Sequence, residues 1–334
     1  MSIRGYAALS AKALLEPFEY EPGPLGSDEV EVKVSHCGIC HSDVAMIDND
    51  WKFTPYPLIP GHEIIGKIVA IGSDVTALKV GQRVGVGWQC GSCGTCECCQ
   101  ANQENFCARE RDTIVFHHGG FASAVRSHWK FAMPIPDALD SDIAGPLMCA
   151  GSTVYSPMIH FDVKPGMKTA VVGIGGLGHL AVQFLAKSGC EVTAISSSHN
   201  KDEEARGFGA TNFIATRGTD ELKRAVGKFD FILCTVSADL PWPDYLNALR
   251  PHGRLCIVGV PESDIKVPAF GIIQQEKSVS GGRVGSPSDT IAMLNFAAKT
   301  GVKPTCEFFP MKEVNKAVDH VRAGKARYRA VLVV

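Results

Sequence analysis

The segment "VVGIGGLGHLA", residues 171–181, has the form of a short apolar strand, a glycine-rich turn and the start of a helix. Glycines at such a turn allow a tight bend, and they let backbone N–H groups and the helix N-terminus come close to a pyrophosphate. A turn of this kind also occurs where nothing binds, but here a second strand ends about twenty residues later, as dinucleotide-binding folds require. The segment therefore predicts a dinucleotide site at the turn residues Gly173, Gly175, Gly176, Leu177 and Gly178.

The chain after about residue 165 alternates short apolar runs with helix-length segments. The runs are "KTAVVG", "CEVTAIS", "FDFILC" and "RLCIVGV", and their alternation with helices is typical of βαβ units in a parallel sheet. The first 150 residues differ, because "EVEVKV" alternates with period two and "GHEIIGKIVAIGSDV" is a Val- and Ile-rich run punctuated by glycine. We therefore expect a β-rich, barrel-like domain first. The tail, with the helix-like "PSDTIAMLNFAAKTG" and the strand-like "RAVLVV", is expected to return to it.

The residues after the second strand of the parallel sheet favour one type of dinucleotide. This stretch reads "AISSSHNK", with Ser196 where an NAD site offers a carboxylate to the ribose 2'-hydroxyl. An acid there repels a 2'-phosphate, whereas Ser196, Ser197 and Ser198 are neutral donors and Lys201 adds positive charge. The alternative is a solvated polar loop. The stretch favours NADP(H).

Composition and charge narrow the class of protein. The chain has 334 residues, is 45% hydrophobic and carries a formal net charge of -2, which favours two domains and gives no basic surface for nucleic acid or an anionic membrane. The N-terminal stretch has no unbroken apolar region, and no run of eighteen apolar residues occurs. Thirteen cysteines without an export signal indicate a reducing compartment. We therefore expect a cytoplasmic protein that acts on small molecules.

Three motifs supply a set of metal-ligand residue types. They are "HCGICHSDVAM" with Cys40, "PLIPGHEIIG" with His62 and Glu63, and "GPLMCAGSTVY" with Cys149. Two cysteines and a histidine make a zinc site with an open coordination position, as a Lewis-acid catalyst needs. Each residue alone is more often a buried small side chain or a surface histidine. Beside a dinucleotide fold, the set predicts a catalytic metal.

With these motifs in place, the sequence resembles the zinc-dependent medium-chain alcohol dehydrogenases, in particular the cinnamyl alcohol dehydrogenase-like branch of NADP(H)-dependent aldehyde reductases. The resemblance runs through "CGICHSD", "YPLIPGHEIIG", "QENFC", "PLMCAGSTVYSPM", "GIGGLGHLAVQFLAK", "AISSS" and "RYRAVLVV". It implies an α/β protein with a GroES-like β-rich catalytic domain at residues 1–150 and 289–334. It also implies a Rossmann domain, a doubly wound parallel sheet that binds NADP(H), at residues 151–288.

The resemblance assigns roles to individual residues. Cys40, His62 and Cys149 match the catalytic zinc ligands, and Glu63 matches a glutamate that exchanges in and out of the coordination sphere. Asp43 matches the carboxylate that orients the histidine ligand. The remaining matches are Ser42 in the proton pathway, His41 and Thr153 near pyrophosphate and nicotinamide, Val260 in the cofactor cleft, and Trp51 facing substrate, although a core tryptophan is an equally good reading.

The stretch "CGSCGTCECCQANQENFC", Cys90 to Cys107, holds six cysteines in eighteen residues. The family has a structural zinc lobe with the spacing C-x2-C-x2-C-x7-C, here at about residues 88–108. Counting back from the last cysteine selects Cys93, Cys96, Cys99 and Cys107, and four thiolates form a closed site that holds loops together. Cys90 and Cys98 are then left over. A rival register that uses Cys90 instead of Cys99 needs a longer final loop, and a disulfide framework fits the compartment less well.

The expected activity is reversible hydride transfer between NADP(H) and a primary alcohol or aldehyde, aromatic or medium-chain aliphatic, with two zinc ions per chain. Relatives pair through their Rossmann domains, so we expect a homodimer. One departure from the family pattern is Ala45, where many members have a histidine that relays a proton to solvent; we expect solvent to take over. The alternatives are a zinc-free quinone reductase-like enzyme, a non-enzymatic NADP-binding redox sensor with a reactive Cys98, and a zinc module for nucleic acid.

Overall fold

Residues 2–334 are described in the computed structural model of the chain, and their strands form two large sheets and two small ones. The strands are β1 (Ile3–Ala7), β2 (Glu16–Tyr20), β3 (Glu29–Ile39), β4 (Glu63–Ile71), β5 (Arg83–Val86), β6 (Gln89–Gly91), β7 (Arg111–Asp112), β8 (Ala124–His128), β9 (Met133–Pro134), β10 (Lys168–Val172), β11 (Glu191–Ser196), β12 (Asn212–Ala215), β13 (Phe229–Cys234), β14 (Leu249–Ile257), β15 (Ser278–Gly281), β16 (Cys306–Pro310) and β17 (Arg329–Val333).

The helices connect these strands. They are α1 (His41–Asp48), α2 (Glu97–Gln100), α3 (Ser141–Ala144), α4 (Ala150–His160), α5 (Gly178–Lys187), α6 (Asp202–Gly207), α7 (Glu221–Arg224), α8 (Trp242–Ala248), α9 (Ala269–Ile273), α10 (Pro287–Thr300) and α11 (Val314–Arg322). Short 3-10 turns lie at Glu104–Phe106, Trp129–Phe131, Gly145–Met148, His199–Lys201 and Met311–Glu313. No helix within residues 2–334 is both long enough and apolar enough to cross a membrane.

The chain divides into two compact units. The first unit comprises the chain up to Ser152 together with Val284–Val334, and the second unit comprises Thr153–Arg283. The C-terminal segment therefore belongs to the same unit as the N-terminal segment.

The first unit is built on a seven-stranded sheet with the order β16-β17-β3-β4-β5-β9, and β8 also pairs with β3. Strand β3 reads "EVEVKVSHCGI", and its alternation buries Val30, Val32 and Val34 while Lys33 faces solvent. Its last three residues are all buried, and β17 and β4 pair with its two edges there, both antiparallel to it. The end of β3 is thus fixed from two sides where α1 begins.

The second unit is built on a six-stranded parallel sheet with the order β12-β11-β10-β13-β14-β15. Strand β10 reads "KTAVV", and four of its five residues are buried, as expected for a central strand covered on both faces. The chain runs from β10 to β11 on one side and returns to β13 on the other. The strand order reverses there, and in such sheets ligands bind at the carboxyl ends of the strands flanking that point.

Candidate functional site

Four ligand-type side chains of the first unit converge at the ends of β3 and β4. Cys40 lies between β3 and α1, Glu63 begins β4 directly after His62, and Cys149 lies just before α4. One ligand atom from each of the four lies within 4.8 Å of the others. Cys40 Sγ is 4.0 Å from Cys149 Sγ, and His62 Nε2 is 3.3 Å from the same sulfur.

Asp43 fixes the geometry of this cluster from behind. The Nδ1–H of His62 donates to Asp43 Oδ1 at 2.9 Å, which leaves Nε2 to face the two sulfurs. The backbone N–H of Gly61 donates to the same oxygen at 2.8 Å, and the N–H of Cys40 donates to Asp43 Oδ2 at 2.9 Å. Asp43 is fully buried, so these hydrogen bonds satisfy its charge away from water. A histidine whose second nitrogen is held by a carboxylate is the usual arrangement at metal sites.

Glu63 is buried and has two differently placed carboxylate oxygens. Oε1 is paired with Arg329, which comes from β17 and is 5% exposed. Oε2 has no hydrogen-bond partner within residues 2–334 and lies beside Gly38, where there is no side chain. Burial raises the pKa of Glu63 to about 7, although the positive charge of Arg329 opposes this. Glu63 Oε2 is therefore a buried acceptor without a hydrogen-bond donor among the described residues.

The residues at this cluster fit a zinc ion. Two sulfurs, one imidazole nitrogen and one carboxylate are its preferred donors, and their mutual distances suit one shared ion. The hydrogen bond to Cys149 lowers the pKa of the Cys40 thiol well below its usual range, with a further contribution from His62. A carboxylate oxygen of Glu63 lies within 4.8 Å of the other ligand atoms and adds a fourth donor.

An aromatic wall leads outward from the cluster. The ring of Trp88 meets that of His62 edge to face, with centroids 5.0 Å apart, and Trp51 meets Trp88 in the same way at 6.1 Å. Phe53 stacks on Trp51 at 5.9 Å and is 50% exposed. The Ser42 hydroxyl lies 3.8 Å from Cys40 Sγ, and Ala45 is buried one turn further along α1. Trp51 is thus part of a wall that extends to the surface.

The second cysteine cluster gathers the four sulfurs of Cys93, Cys96, Cys99 and Cys107 within 4.8 Å of one another. Backbone N–H groups point at these sulfurs, including that of Cys96 at 3.3 Å from Cys93 Sγ. Hydrogen bonds from the N–H groups of Thr95 and Cys96 lower the pKa of Cys93 to about 5, which favours the thiolate that a metal needs.

The two remaining cysteines of the stretch lie outside this group. Cys90 is 1% exposed, and burial raises its pKa to about 12, so it has the environment of a core thiol. Cys98 is partly exposed on the four-residue helix α2. The structure therefore gathers the register with Cys99 rather than the one with Cys90.

The glycine-rich turn lies at the carboxyl end of β10 and leads into α5. Gly173 has a φ of +90°, and a Cβ on it would lie 2.2 Å from Val236. A Cβ on Gly178 would lie 1.7 Å from Gly173 O, so only glycine permits this approach of helix and strand. In contrast, a Cβ on Gly175 would meet no atom within 4 Å, and Gly176 and Leu177 are partly exposed beside it. This open, glycine-lined side at the start of a helix has the backbone N–H groups that a pyrophosphate needs.

The residues predicted to bind the cofactor's 2'-phosphate lie at the end of β11 and in the loop that follows it. Ser196 ends β11, Ser197 is exposed, and Ser198 Oγ is hydrogen-bonded to Asn200. Lys201 Nζ lies 2.5 Å from Ile174 O, which joins this loop to the glycine-rich turn.

Three further predicted residues lie in other segments. Val260 is 63% exposed after β14, His41 is the first residue of α1, and Thr153 lies in α4. Their contact with a cofactor stays a prediction.

Two family models match the chain. The alcohol dehydrogenase GroES-like domain covers residues 26–137, and the zinc-binding dehydrogenase domain covers residues 176–299. The chain is 45% identical over 330 residues to aldehyde reductase AdhA of Synechocystis sp., a match that covers 99% of this chain and 98% of that protein. The chain belongs to the zinc-binding alcohol dehydrogenase family.

Solved structures also match the fold of this dehydrogenase over its whole length. The cinnamyl alcohol dehydrogenase SbCAD4 from Sorghum bicolor matches with a TM-score of 0.95 and 39% identity, covering 100% of this chain and 98% of that one. The cinnamyl alcohol dehydrogenase from Helicobacter pylori, solved with NADP(H), matches with a TM-score of 0.92 and 30% identity, again covering 100% and 98%. The predicted fold, a GroES-like domain with a Rossmann domain, is confirmed.

Sequence reasoning missed three residues at the sites of this dehydrogenase. Arg329 supplies the partner of Glu63, and its only signal was a charged residue at the start of the apolar run "RAVLVV". Trp88 lies against His62, but an aromatic before the cysteine stretch is indistinguishable in sequence from a core residue. Gly38 leaves the space for Glu63 Oε2, and its signal was the glycine in "CGIC".

Proposed function

We propose that this chain is an NADP(H)-dependent zinc alcohol dehydrogenase that interconverts primary alcohols and aldehydes. The convergence of Cys40, His62, Glu63 and Cys149 within 4.8 Å carries the proposal, in a chain that belongs to the zinc-binding alcohol dehydrogenases. The alternative of a zinc-free quinone reductase-like enzyme does not explain why these four metal-binding side chains lie together.

Residues of the chain have separate tasks in this reaction. When bound, zinc offers a Lewis acid to a carbonyl oxygen and NADPH offers a hydride to the carbonyl carbon. Cys40, His62 and Cys149 would hold the metal, and Asp43 keeps His62 in the tautomer that leaves Nε2 free to bind it. The Ser42 hydroxyl beside Cys40 gives up the proton that the product oxygen takes. Ala45 has no proton to relay, so water delivers the next one to this end of the pathway.

The choice of NADP(H) rests on the loop after β11. Ser196, Ser197 and Ser198 bring neutral donors and no carboxylate, and Lys201 brings a positive charge. The Helicobacter pylori relative, 30% identical, was solved with NADP(H).

The substrate class follows from the aromatic wall. Trp88, Trp51 and Phe53 offer flat apolar faces between the metal ligands and the surface, and such faces bind aromatic rings and alkyl chains better than sugars or acids. Relatives are named aldehyde reductase and cinnamyl alcohol dehydrogenase. We therefore propose aromatic and medium-chain aliphatic aldehydes as substrates.

The second zinc ion is structural. Cys93, Cys96, Cys99 and Cys107 provide four donors of one kind and leave no position open for substrate. A closed site of this type holds a loop whose only helix has four residues.

The predicted domain boundaries, 1–150 with 289–334 and 151–288, stand as our proposal for the catalytic and cofactor domains. We further propose a homodimer formed through the Rossmann domains. Strand β15 is an outer strand of the parallel sheet, and an outer edge can pair with a second copy. Nearby α9 exposes Phe270 and Ile273 by 73% and 71%. None of the thirteen cysteines is in a disulfide, which suits the cytoplasm as location.

The test is a panel of aldehydes assayed with NADPH and with NADH. We expect turnover of cinnamaldehyde, benzaldehyde and hexanal with NADPH, lost when a chelator strips the metal and restored by zinc. A protein that binds NADPH and is oxidised at Cys98 by peroxide, but turns over no aldehyde, would support the redox sensor instead. Retention of full activity after complete zinc removal would support the quinone reductase-like alternative.

A further inference from the structure

The backbone carbonyls of the glycine-rich turn are held by side chains from separate elements. The first of these is Thr235, which follows β13. Its hydroxyl lies 2.9 Å from Val172 O and 3.0 Å from Gly173 O, so its proton is shared between two consecutive carbonyls. Its backbone N–H also donates to Val172 O, at 3.0 Å.

Two more side chains hold the next two carbonyls. Lys201 Nζ donates to Ile174 O at 2.5 Å, and His179 Nδ1 donates to Gly175 O at 2.9 Å. His179 is fully buried at the start of α5. Four consecutive carbonyls, from residue 172 to residue 175, therefore each have a side-chain donor.

The direction of these carbonyls decides the direction of the amides that follow. In a trans peptide the C=O of one residue and the N–H of the next point in opposite directions. Holding Ile174 O therefore aims the N–H of Gly175 away from Lys201, and holding Gly175 O aims the N–H of Gly176 away from His179. Within residues 2–334 neither of these two N–H groups donates to a protein acceptor. An ideal Cβ on Gly175 would also meet no atom within 4 Å, so the turn is open on the side of the Gly175 Cα.

We infer that His179, Thr235 and Lys201 are positioning residues for the pyrophosphate of the cofactor. They fix the carbonyls on one side of the turn, so that the Gly175 and Gly176 N–H groups are already directed at an anion before it binds. Lys201 also joins the turn to the loop that we propose for the 2'-phosphate, so both phosphate sites share one rigid support. The inference rests on the proposed use of NADP(H).

The experiment compares variants that remove a donor with variants that keep it. His179→Leu removes the Nδ1 donor at similar volume, whereas His179→Asn keeps a nitrogen donor at the same number of bonds from Cβ. Thr235→Val removes the hydroxyl and Thr235→Ser keeps it. Dissociation constants are measured for NADPH, for NADH and for adenosine 2'-monophosphate, which has no pyrophosphate.

In His179→Leu and Thr235→Val, the loss of one hydrogen bond is expected to weaken the binding of NADPH and of NADH by the same factor, about fivefold. The affinity for adenosine 2'-monophosphate should not change, and His179→Asn and Thr235→Ser should bind all three ligands as the wild type does.

Thr169→Val is the matched control. Thr169 is buried in the same sheet, and its hydroxyl also donates to a carbonyl, that of Glu191 at 3.3 Å, at the opposite end of β10. Thr235→Val affinities equal to those of Thr169→Val would overturn the inference, as would an equal loss of adenosine 2'-monophosphate binding. Wild-type protein that binds neither dinucleotide would instead overturn the proposed function.

Discussion

Gly38→Ala tests the arrangement around Glu63. An ideal Cβ on Gly38 lies 2.0 Å from Glu63 Oε2, 3.0 Å from its Cβ and 3.1 Å from its Cδ. The first distance is far inside van der Waals contact, so the carboxylate must move. Its other oxygen is paired with buried Arg329, and any movement of the carboxylate disturbs this ion pair.

The magnitude follows from two costs. An extra methyl group in a packed core typically costs about 1–3 kcal/mol, and breaking a buried ion pair costs about 3–5 kcal/mol. A carboxylate that shifts keeps part of its attraction to Arg329, so the full second cost does not apply. We expect Gly38→Ala to lower the free energy of unfolding by about 2–4 kcal/mol.

The assay is urea unfolding of four proteins: wild type, Gly38→Ala, Glu63→Asp and the double variant. Asp is one methylene shorter, so the contact at 2.0 Å disappears and only the Cβ contact at 3.0 Å remains. In the Glu63→Asp background the alanine should therefore cost only about 1 kcal/mol or less. Gly207→Ala is the control, because its Cβ would meet no atom within 4 Å; since Gly207 is the last residue of α6, the change should leave stability unaltered or raise it by up to about 1 kcal/mol. If Gly38→Ala lowers the free energy of unfolding equally in both backgrounds, the new methyl group does not clash with the Glu63 carboxylate and the reasoning is wrong.

Three further predictions concern the metals, the cofactor and the proton pathway. Metal analysis should return two zinc ions per chain, one for each ligand cluster; Cys99→Ser should lose one and Cys98→Ser neither, and loss of zinc from Cys98→Ser would show that the register is wrong. Ser196→Asp should lower the affinity for NADPH roughly tenfold to a hundredfold, because an acid repels the 2'-phosphate. The variant should also have a higher kcat/KM with NADH than with NADPH, and an unchanged cofactor preference would contradict the assignment. In single-turnover hydride transfer the proton relay, which has Ala45 in place of a histidine, should contribute no ionisation near pH ~6.5, and the reaction should be accelerated by added imidazole or by Ala45→His. A wild-type ionisation near that pH that disappears on replacing another histidine, such as His36 in β3 or His41 in α1, would place the relay elsewhere.

The parts of the fold that were predictable are those that local pattern determines. The period-two alternation of "EVEVKV" predicts the strand found as β3, and the apolar run "KTAVVG" before the glycine-rich turn predicts a strand of a parallel sheet, found as β10. The helix α10, predicted from "PSDTIAMLNFAAKTG", begins with a Ser286 cap and ends before Gly301, both of which are local signals. The choice of the four cysteines of the structural site was predictable because the family that the motifs resemble has a fixed cysteine spacing.

The parts that were not predictable depend on contacts between distant segments. Arg329 is 266 residues from Glu63, and no local pattern links the two. Thr235 and His179 act through backbone carbonyls, which every residue has, so the sequence carries no sign of which carbonyl is held. The edge contact of Trp88 with His62 likewise exists only once β5 and β4 are paired.

The pairing of Arg329 with Glu63 has a consequence for biosynthesis. A nascent chain that has grown past Cys149 already carries all four ligands of the catalytic cluster, yet the cation that neutralises Glu63 is 180 residues away from being made. At roughly 5–20 residues per second this gap lasts about 10 to 40 s. Folding of the catalytic unit during that time would bury the carboxylate without its counter-ion, and an unpaired buried charge opposes folding by several kcal/mol. The Rossmann unit, Thr153–Arg283, is complete before Arg329 is made, so it can fold on the ribosome while the catalytic unit waits for its last strand.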